Sequence, residues 1–179
     1  LAYVLAAAET LVDMNRADEA LSMLNTKADT FEHSAEIRDA IGLLLTGKSR
    51  YAEAESILQQ ASFLSVDDQT IREHLAMAEY FNKDYREAAE QFTKLLNDEK
   101  YKKRGDLYLA LGECNEQLGR IDDAKAAFET ATQISPGSPE AWVSLAKVSL
   151  EKNDLRRAEL ALRKASSLDA ASGEANLLL

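Results

Sequence analysis

The sequence predicts an all-α protein built from repeated helical hairpins, and three observations support this. Only 7 Gly and 2 Pro interrupt the 179 residues, whereas Ala, Leu, Glu and Lys, which favour helices, are abundant. β-branched residues form no alternating run, so no strand is predicted. Small and large apolar residues also recur about every 34 residues, a period typical of tandem helical repeats.

An alanine in the second helix of each hairpin marks the period most clearly. It occurs at intervals of 34, 34, 36 and 34 residues, at Ala20, Ala54, Ala88, Ala124 and Ala158. The longer interval indicates a two-residue insertion between Asn97 and Arg104. A large apolar residue follows each alanine by four places: Leu24, Leu58, Phe92, Phe128 and Leu162. The period therefore divides the chain into five hairpins.

Two helices are expected in each hairpin, which gives five pairs in chain order. The pairs span approximately 1–14 and 17–29, 34–47 and 51–63, 68–82 and 85–98, 103–118 and 121–134, and 138–152 and 155–168. Turns within the hairpins are expected where the chain can adopt the left-handed conformation: Asn15-Arg16, Gly47-Lys48, Lys83-Asp84, Gly119-Arg120 and Asn153-Asp154. Between hairpins, the expected N-caps are Ser34, Asp67, Ser138 and Ser172.

The residues within one period carry a family pattern. The best segment contains Tyr108, Leu111, Gly112, Asn115, Gly119, Ala124, Phe128, Ala131 and Pro136. The same order recurs 34 places later as Trp142, Leu145, Ala146, Ser149, Asn153, Ala158, Leu162, Ala165 and Ala170. This order resembles the tetratricopeptide repeat (TPR), W-x2-L-G-x2-Y followed by A-x3-F, A and P. The resemblance covers essentially the whole chain and implies a right-handed α-α superhelix, or solenoid.

A single solenoid over residues 1–179 is expected from this resemblance. Its units span approximately 1–34, 35–68, 69–104, 105–138 and 139–172, and residues 173–179 begin a further helix. Because Leu1 and Leu177 to Leu179 lie inside apolar helical patterns, we expect the chain to be a fragment of a longer protein. The uncapped last helix is expected either to fray or to mediate self-association.

Charge and composition favour binding of protein over catalysis or nucleic-acid binding. The net charge of -10 repels phosphate backbones, and the longest apolar runs, such as Ile41 to Leu45, are too short to span a membrane. Cys114 is the only cysteine and is expected to be buried, while His33 and His74 are far apart in sequence. We therefore predict no enzyme activity, cofactor or metal. The composition is ordinary for a bacterial protein and compatible with other sources.

The family resemblance implies where a partner would bind. The first helix of each hairpin lines the concave face, and the residues expected there include ten acidic ones and one basic one. An acidic groove is therefore predicted, with an apolar centre formed by Leu43, Met77, Tyr80 and Phe81, which suits a basic or amphipathic segment. The predicted protein-binding residues are Glu9, Asp39, Leu43, Glu73, His74, Met77, Tyr80, Phe81, Leu109, Glu113 and Lys147.

The same residues also admit other interpretations. The acidic face is also explained by simple solvation, and the basic run from Lys100 to Arg104 by a solvated loop. The cations of the family's carboxylate clamp are missing at the matching places in each frame, for example Leu5 and Glu9 in the first, so recognition of an acidic C-terminal tail is not expected. The alternatives to a scaffold are a substrate-positioning module of a larger enzyme and a self-assembling structural protein.

Overall fold

The computed structural model describes residues 1–169, which form ten α-helices and no strand. The helices are α1 (Ala2–Asp13), α2 (Ala17–Ala28), α3 (Ala35–Gly47), α4 (Tyr51–Leu64), α5 (Gln69–Asn82), α6 (Tyr85–Leu96), α7 (Gly105–Gln117), α8 (Ile121–Ile134), α9 (Pro139–Glu151) and α10 (Leu155–Leu168). Each begins and ends within two residues of the predicted position, which confirms the helices. The expected cap Ser172 and the expected helix ending at Leu179 lie outside the described residues.

The chain divides into two units, residues 1–91 and 92–179, and the boundary falls inside α6. In the first unit, α1 packs against α2, α2 against α3, α3 against α4, and α5 against both α3 and α4. Leu24, Ile41, Leu58 and Leu75 form the centre of its core together with Ala20 and other small residues. The first unit is therefore held together by the residues whose recurrence defines the period.

The second unit, residues 92–179, repeats this packing with different side chains. Helix α7 packs against α8, α8 against α9, and α9 against α10. Phe128, Leu145, Val148 and Leu162 are buried in one cluster, and Trp142 packs partly exposed against it. Cys114 of α7 is buried, as predicted.

Glycine allows two pairs of helices to approach closely. A Cβ atom added at Gly42 of α3 would lie 2.7 Å from Cδ2 of Leu58, and one added at Gly112 of α7 would lie 2.5 Å from Cδ1 of Phe128. Real Cβ contacts are longer than this, so any larger residue would displace a buried side chain. Both glycines occupy the small position that follows a large apolar residue in the repeat pattern.

The turns inside the hairpins share one geometry. Their left-handed residues are Asn15, Ser49, Lys83, Gly119 and Asn153, again at intervals of 34, 34, 36 and 34. In each turn the next N–H donates to the carbonyl five residues back, as Arg50 does to Leu45 at 2.9 Å. Four of the five predicted turns contain their left-handed residue, and the prediction of Gly47-Lys48 is corrected. In the second turn the left-handed residue is Ser49, because Gly47 continues α3 by another residue.

The N-caps between hairpins agree with the prediction at two described places and differ at one. Ser34 and Ser138 accept hydrogen bonds from the N–H groups of Ile37 and Ala141. The prediction of Asp67 was wrong. Its neighbour Asp68 caps α5, because the Asp68 carboxylate accepts from the N–H groups of two residues in the first turn.

Candidate functional site

A cavity of about 640 Å³ lies between α1 and α3 in the first unit. Both are first helices of their hairpins, the helices for which the sequence predicted a binding face. The lining includes three of the predicted binding residues, Glu9, Asp39 and Leu43. Leu5, Val12 and Leu44 add apolar surface. The cavity therefore combines carboxylates with an apolar wall.

The charges around this cavity are mainly negative. The carboxylates of Glu9, Asp13, Glu36 and Asp39 lie on it, and Lys48 is the cation among its lining residues. The Nζ atom of Lys48 is 2.7 Å from a carboxylate oxygen of Asp18, outside the cavity. Lys48 is thus already engaged by another carboxylate. A cationic side chain entering the cavity would meet an excess of negative charge.

His74 and Asp39 form an ion pair beside the cavity. Nδ1 of His74 is 2.7 Å from Oδ1 of Asp39, and the two side chains are 23% and 17% exposed. Burial lowers the pKa of His74, but the Asp39 hydrogen bond, followed by the charges of Asp39, Glu73 and Asp68, outweighs it, so the pKa lies above the ordinary 6.5. The sequence placed both residues on the binding face, but not in contact.

We expect the His74–Asp39 pair to make stability depend on pH. Because the folded-state pKa of His74 is raised, the stabilisation is complete below pH 6.5 and is lost as the pH rises through the folded-state pKa. The loss should be roughly 1 kcal/mol. Urea unfolding from pH 5.5 to 9 would measure it, with His74→Gln as the control. Parallel pH profiles for the wild type and this variant would contradict the assignment.

Aromatic side chains gather where α5 ends. The ring of Phe81 stacks on Tyr51 with centroids 5.3 Å apart, and Tyr80 meets Phe81 edge-on at 5.2 Å and Tyr85 at 6.2 Å. Of the predicted apolar centre, Leu43 lines the α1–α3 cavity, whereas Met77, Tyr80 and Phe81 do not. Sequence analysis missed Tyr51 and Tyr85. Tyr51 is the first residue of α4 and Tyr85 the first residue of α6. Each follows the left-handed residue of its turn by two places, and this spacing was the signal that could have placed both beside the end of α5.

The predicted binding residues of the second unit lie on α7 and α9, which are in contact. Leu109 packs half-buried against the apolar cluster, Glu113 is half-buried, and Lys147 is exposed. Burial raises the pKa of the neighbouring Glu116, although the charge of Lys147 opposes the rise. This face therefore combines several acidic groups with one cation, as the α1–α3 cavity does.

Residues 1–169 contain neither a metal-binding cluster nor a membrane-spanning helix. No group of three or more His, Cys, Asp or Glu side chains in this range is placed to hold a metal ion. No helix in the same range is both long and apolar enough to cross a membrane.

Comparison with known protein families identifies the repeat. Two family models, each described as a tetratricopeptide repeat, match residues 74–139 and 117–179. Among curated proteins, the BBSome complex member BBS4 of Bos taurus and that of Mus musculus are each 26% identical over 136 residues, or 76% of this chain. The matched stretch is 26% of each relative, so the chain spans about a quarter of their length.

Solved structures show the fold over nearly the whole chain. MamA (residues 41 to the end) from Desulfovibrio magneticus RS-1 is 15% identical with a TM-score of 0.87, covering 96% of both chains. YrrB, described as a TPR protein with an unusual peptide-binding site, is 17% identical with a TM-score of 0.87, covering 97% of this chain and 89% of its own. These likenesses show the predicted fold class, an all-α superhelix of helical hairpins.

Proposed function

Because the chain belongs to the tetratricopeptide repeat family, we propose that it binds a segment of another protein in the acidic cavity between α1 and α3. The fold is that of a protein-interaction module, since stacked helical hairpins present extended binding surfaces. The likeness to YrrB, a TPR protein with a peptide-binding site, supports a peptide as the class of ligand. The partner would be a segment that carries Lys or Arg beside an apolar side chain.

The observation that carries this proposal is the combination of charge and apolar surface in one cavity. The carboxylates of Glu9 and Asp13 face a cationic ligand, and the exposed Leu43, 43% accessible, offers an apolar contact. An apolar side chain gains from leaving water there, while a Lys or Arg head reaches the carboxylates. Affinity should therefore fall with ionic strength, because the charge contacts are partly exposed.

The remaining predicted binding residues belong to the proposal as further contacts. In the first unit these are Glu73, His74, Met77, Tyr80 and Phe81, where the aromatic cluster offers flat apolar surface. In the second unit they are Leu109, Glu113 and Lys147 on α7 and α9.

A peptide-binding experiment tests the proposal directly. The purified 179-residue chain would be screened against a library of random 12-residue peptides, and the retained peptides sequenced. We expect enrichment in Lys and Arg next to apolar residues. Glu9→Gln/Asp13→Asn should weaken the best peptide about tenfold, because two carboxylates of the cavity are removed while the side-chain volumes stay the same. Fluorescence anisotropy with the labelled peptide would measure the change.

Matched variants separate this cavity from the general charge of the chain. Asp29→Asn/Glu32→Gln removes the same number of carboxylates from exposed positions outside the cavity, and should leave affinity within about twofold. Tyr80→Ala/Phe81→Ala tests the aromatic cluster separately. Equal weakening by both carboxylate pairs, or no enrichment of basic residues, would contradict binding in the α1–α3 cavity.

A further inference from the structure

A second cavity lies in the second unit, on the side of the second helices. It has a volume of about 630 Å³ and lies between α8 and α10, over Trp142 and Leu145 of α9. Leu160 stands at its edge with 65% of its surface exposed. The cavity thus offers apolar surface in a part of the hairpin that the proposed α1–α3 site does not use.

The charges at this cavity have the opposite sign from those of the α1–α3 cavity. Arg156, Arg157 and Lys164 of α10 line it, together with the carboxylates of Glu129 and Asp154. Arg157 pairs with Glu129 at 2.8 Å, and Asp154 lies 3.3 Å from Nζ of Lys125. Both carboxylates are thus engaged, which leaves the charges of Arg156 and Lys164 to dominate the cavity. This local excess of positive charge occurs on a chain whose net charge is -10.

The repeat itself shows that the fold does not require these residues. Ala158 and Ala54 occupy the same place in their hairpins, so positions 104 residues apart are equivalent. Arg156, Arg157 and Leu160 thereby correspond to Ala52, Glu53 and Ser56 in α4. The equivalent cavity between α2 and α4 measures about 360 Å³. Helix α4 therefore occupies the equivalent place in its hairpin without the two arginines and the exposed leucine of α10.

The arginines also oppose the local preference of the helix. The first turns of α2, α4 and α8 carry acidic residues, which the dipole of a helix favours at its N-terminus. The first turn of α10 carries Arg156 and Arg157 instead, and the acidic residue of this helix start is the N-cap Asp154, whose carboxylate accepts from the N–H of Arg157. Arg157 gains a pair with Glu129 of α8, so Arg156 is the departure that the fold explains least, and such departures mark candidate functional sites.

We propose that the α8–α10 cavity is an interaction surface for an acidic protein segment that carries one apolar side chain. The carboxylates of that segment pair with Arg156 and Lys164, and its apolar side chain covers Leu160 and reaches towards Trp142. Charge complementarity selects the partner, and burial of the leucine adds affinity. The inference is independent of the α1–α3 site, since it rests on different helices and on charge of the opposite sign.

Trp142 is the single tryptophan of the chain and provides a direct readout. Synthetic 12-residue peptides with four Asp or Glu and one Leu or Phe would be titrated into the full chain while tryptophan emission is followed. We expect a saturable change in emission that weakens with salt and is absent when Gln and Asn replace the acidic residues. Arg156→Glu should weaken binding about tenfold or more.

A charge reversal on the same helix serves as the matched control. Arg163 is exposed on α10, pairs with Glu159 at 2.6 Å and does not line the cavity, so Arg163→Glu should change affinity less than about twofold. Circular dichroism would establish that both variants remain helical. Equal effects of the two reversals, or no emission change with any acidic peptide, would overturn the proposal. An emission change caused by the chain's own concentration would also overturn it, in favour of a second copy as the occupant.

Discussion

Phe128→Ala is expected to lower the free energy of unfolding by about 3–5 kcal/mol, the range found when a buried aromatic side chain is truncated. Phe128 is fully buried in the cluster that joins α8 to α9, and its ring lies directly against Gly112 of α7. Alanine would leave a void at the contact of three helices, and a gap enclosed on all sides collapses only partly. Urea denaturation followed by circular dichroism would measure the loss.

Phe63→Ala provides the comparison for this prediction. Phe63 lies near the end of α4 with 83% of its surface exposed, so its removal should change stability by less than about 0.5 kcal/mol. The same chemical change would thus have effects that differ several-fold according to burial alone. A loss below about 1 kcal/mol for Phe128→Ala would show that the ring is not part of a close-packed core.

Gly42→Ala is expected to destabilise the chain by about 1–3 kcal/mol, although alanine normally favours helices. The added Cβ atom would lie 2.7 Å from Cδ2 and 2.9 Å from Cδ1 of Leu58, which is fully buried and has little room to move. Gly47→Ala, five residues further along α3, has no neighbour within 4 Å of its Cβ position. That substitution should stabilise the chain by up to about 1 kcal/mol.

The opposite signs of these two substitutions make the experiment decisive. Thermal and urea denaturation of both variants would compare them directly within one helix. In a Leu58→Ala background Gly42→Ala should cost much less, because the new methyl group would meet the Cγ and Cδ atoms of Leu58, which alanine lacks. If Gly42→Ala proved as stable as the wild type, the close approach of α3 and α4 would be incorrect.

The period made most of the fold predictable from sequence. A residue type repeated every 34 places marks the same contact between helices in each hairpin. The positions of the helices therefore follow from the period. The errors were local ones. Asp67 and Asp68 are both carboxylates at the same junction, and only the backbone geometry decides which side chain reaches the first-turn N–H groups. Gly47 seemed the natural turn residue, yet the period itself places that turn at Ser49.

The candidate sites were less predictable, because they depend on contacts between distant residues. The family pattern placed Glu9, Asp39 and Leu43 on the same face, and they share a cavity. The pairing of His74 with Asp39 joins residues 35 apart and depends on side-chain direction, which spacing alone does not supply. The α8–α10 cavity was not predicted, because the family pattern places the binding face on the first helices of the hairpins. The unusual Arg156-Arg157 pair at a helix start was the signal that could have revealed it.

The shared turn geometry has a consequence for how a chain of this kind can be lengthened or rearranged. The two extra residues of the longer interval fall in the connection between α6 and α7, and the turns within hairpins keep their hydrogen bond. In this connection Tyr101 is buried, while Lys100 and Lys103 are exposed. The turn within each hairpin therefore keeps a fixed length, and the connection between hairpins is where the two extra residues are accommodated. We therefore expect grafts and deletions made at such junctions to leave the turns within hairpins intact.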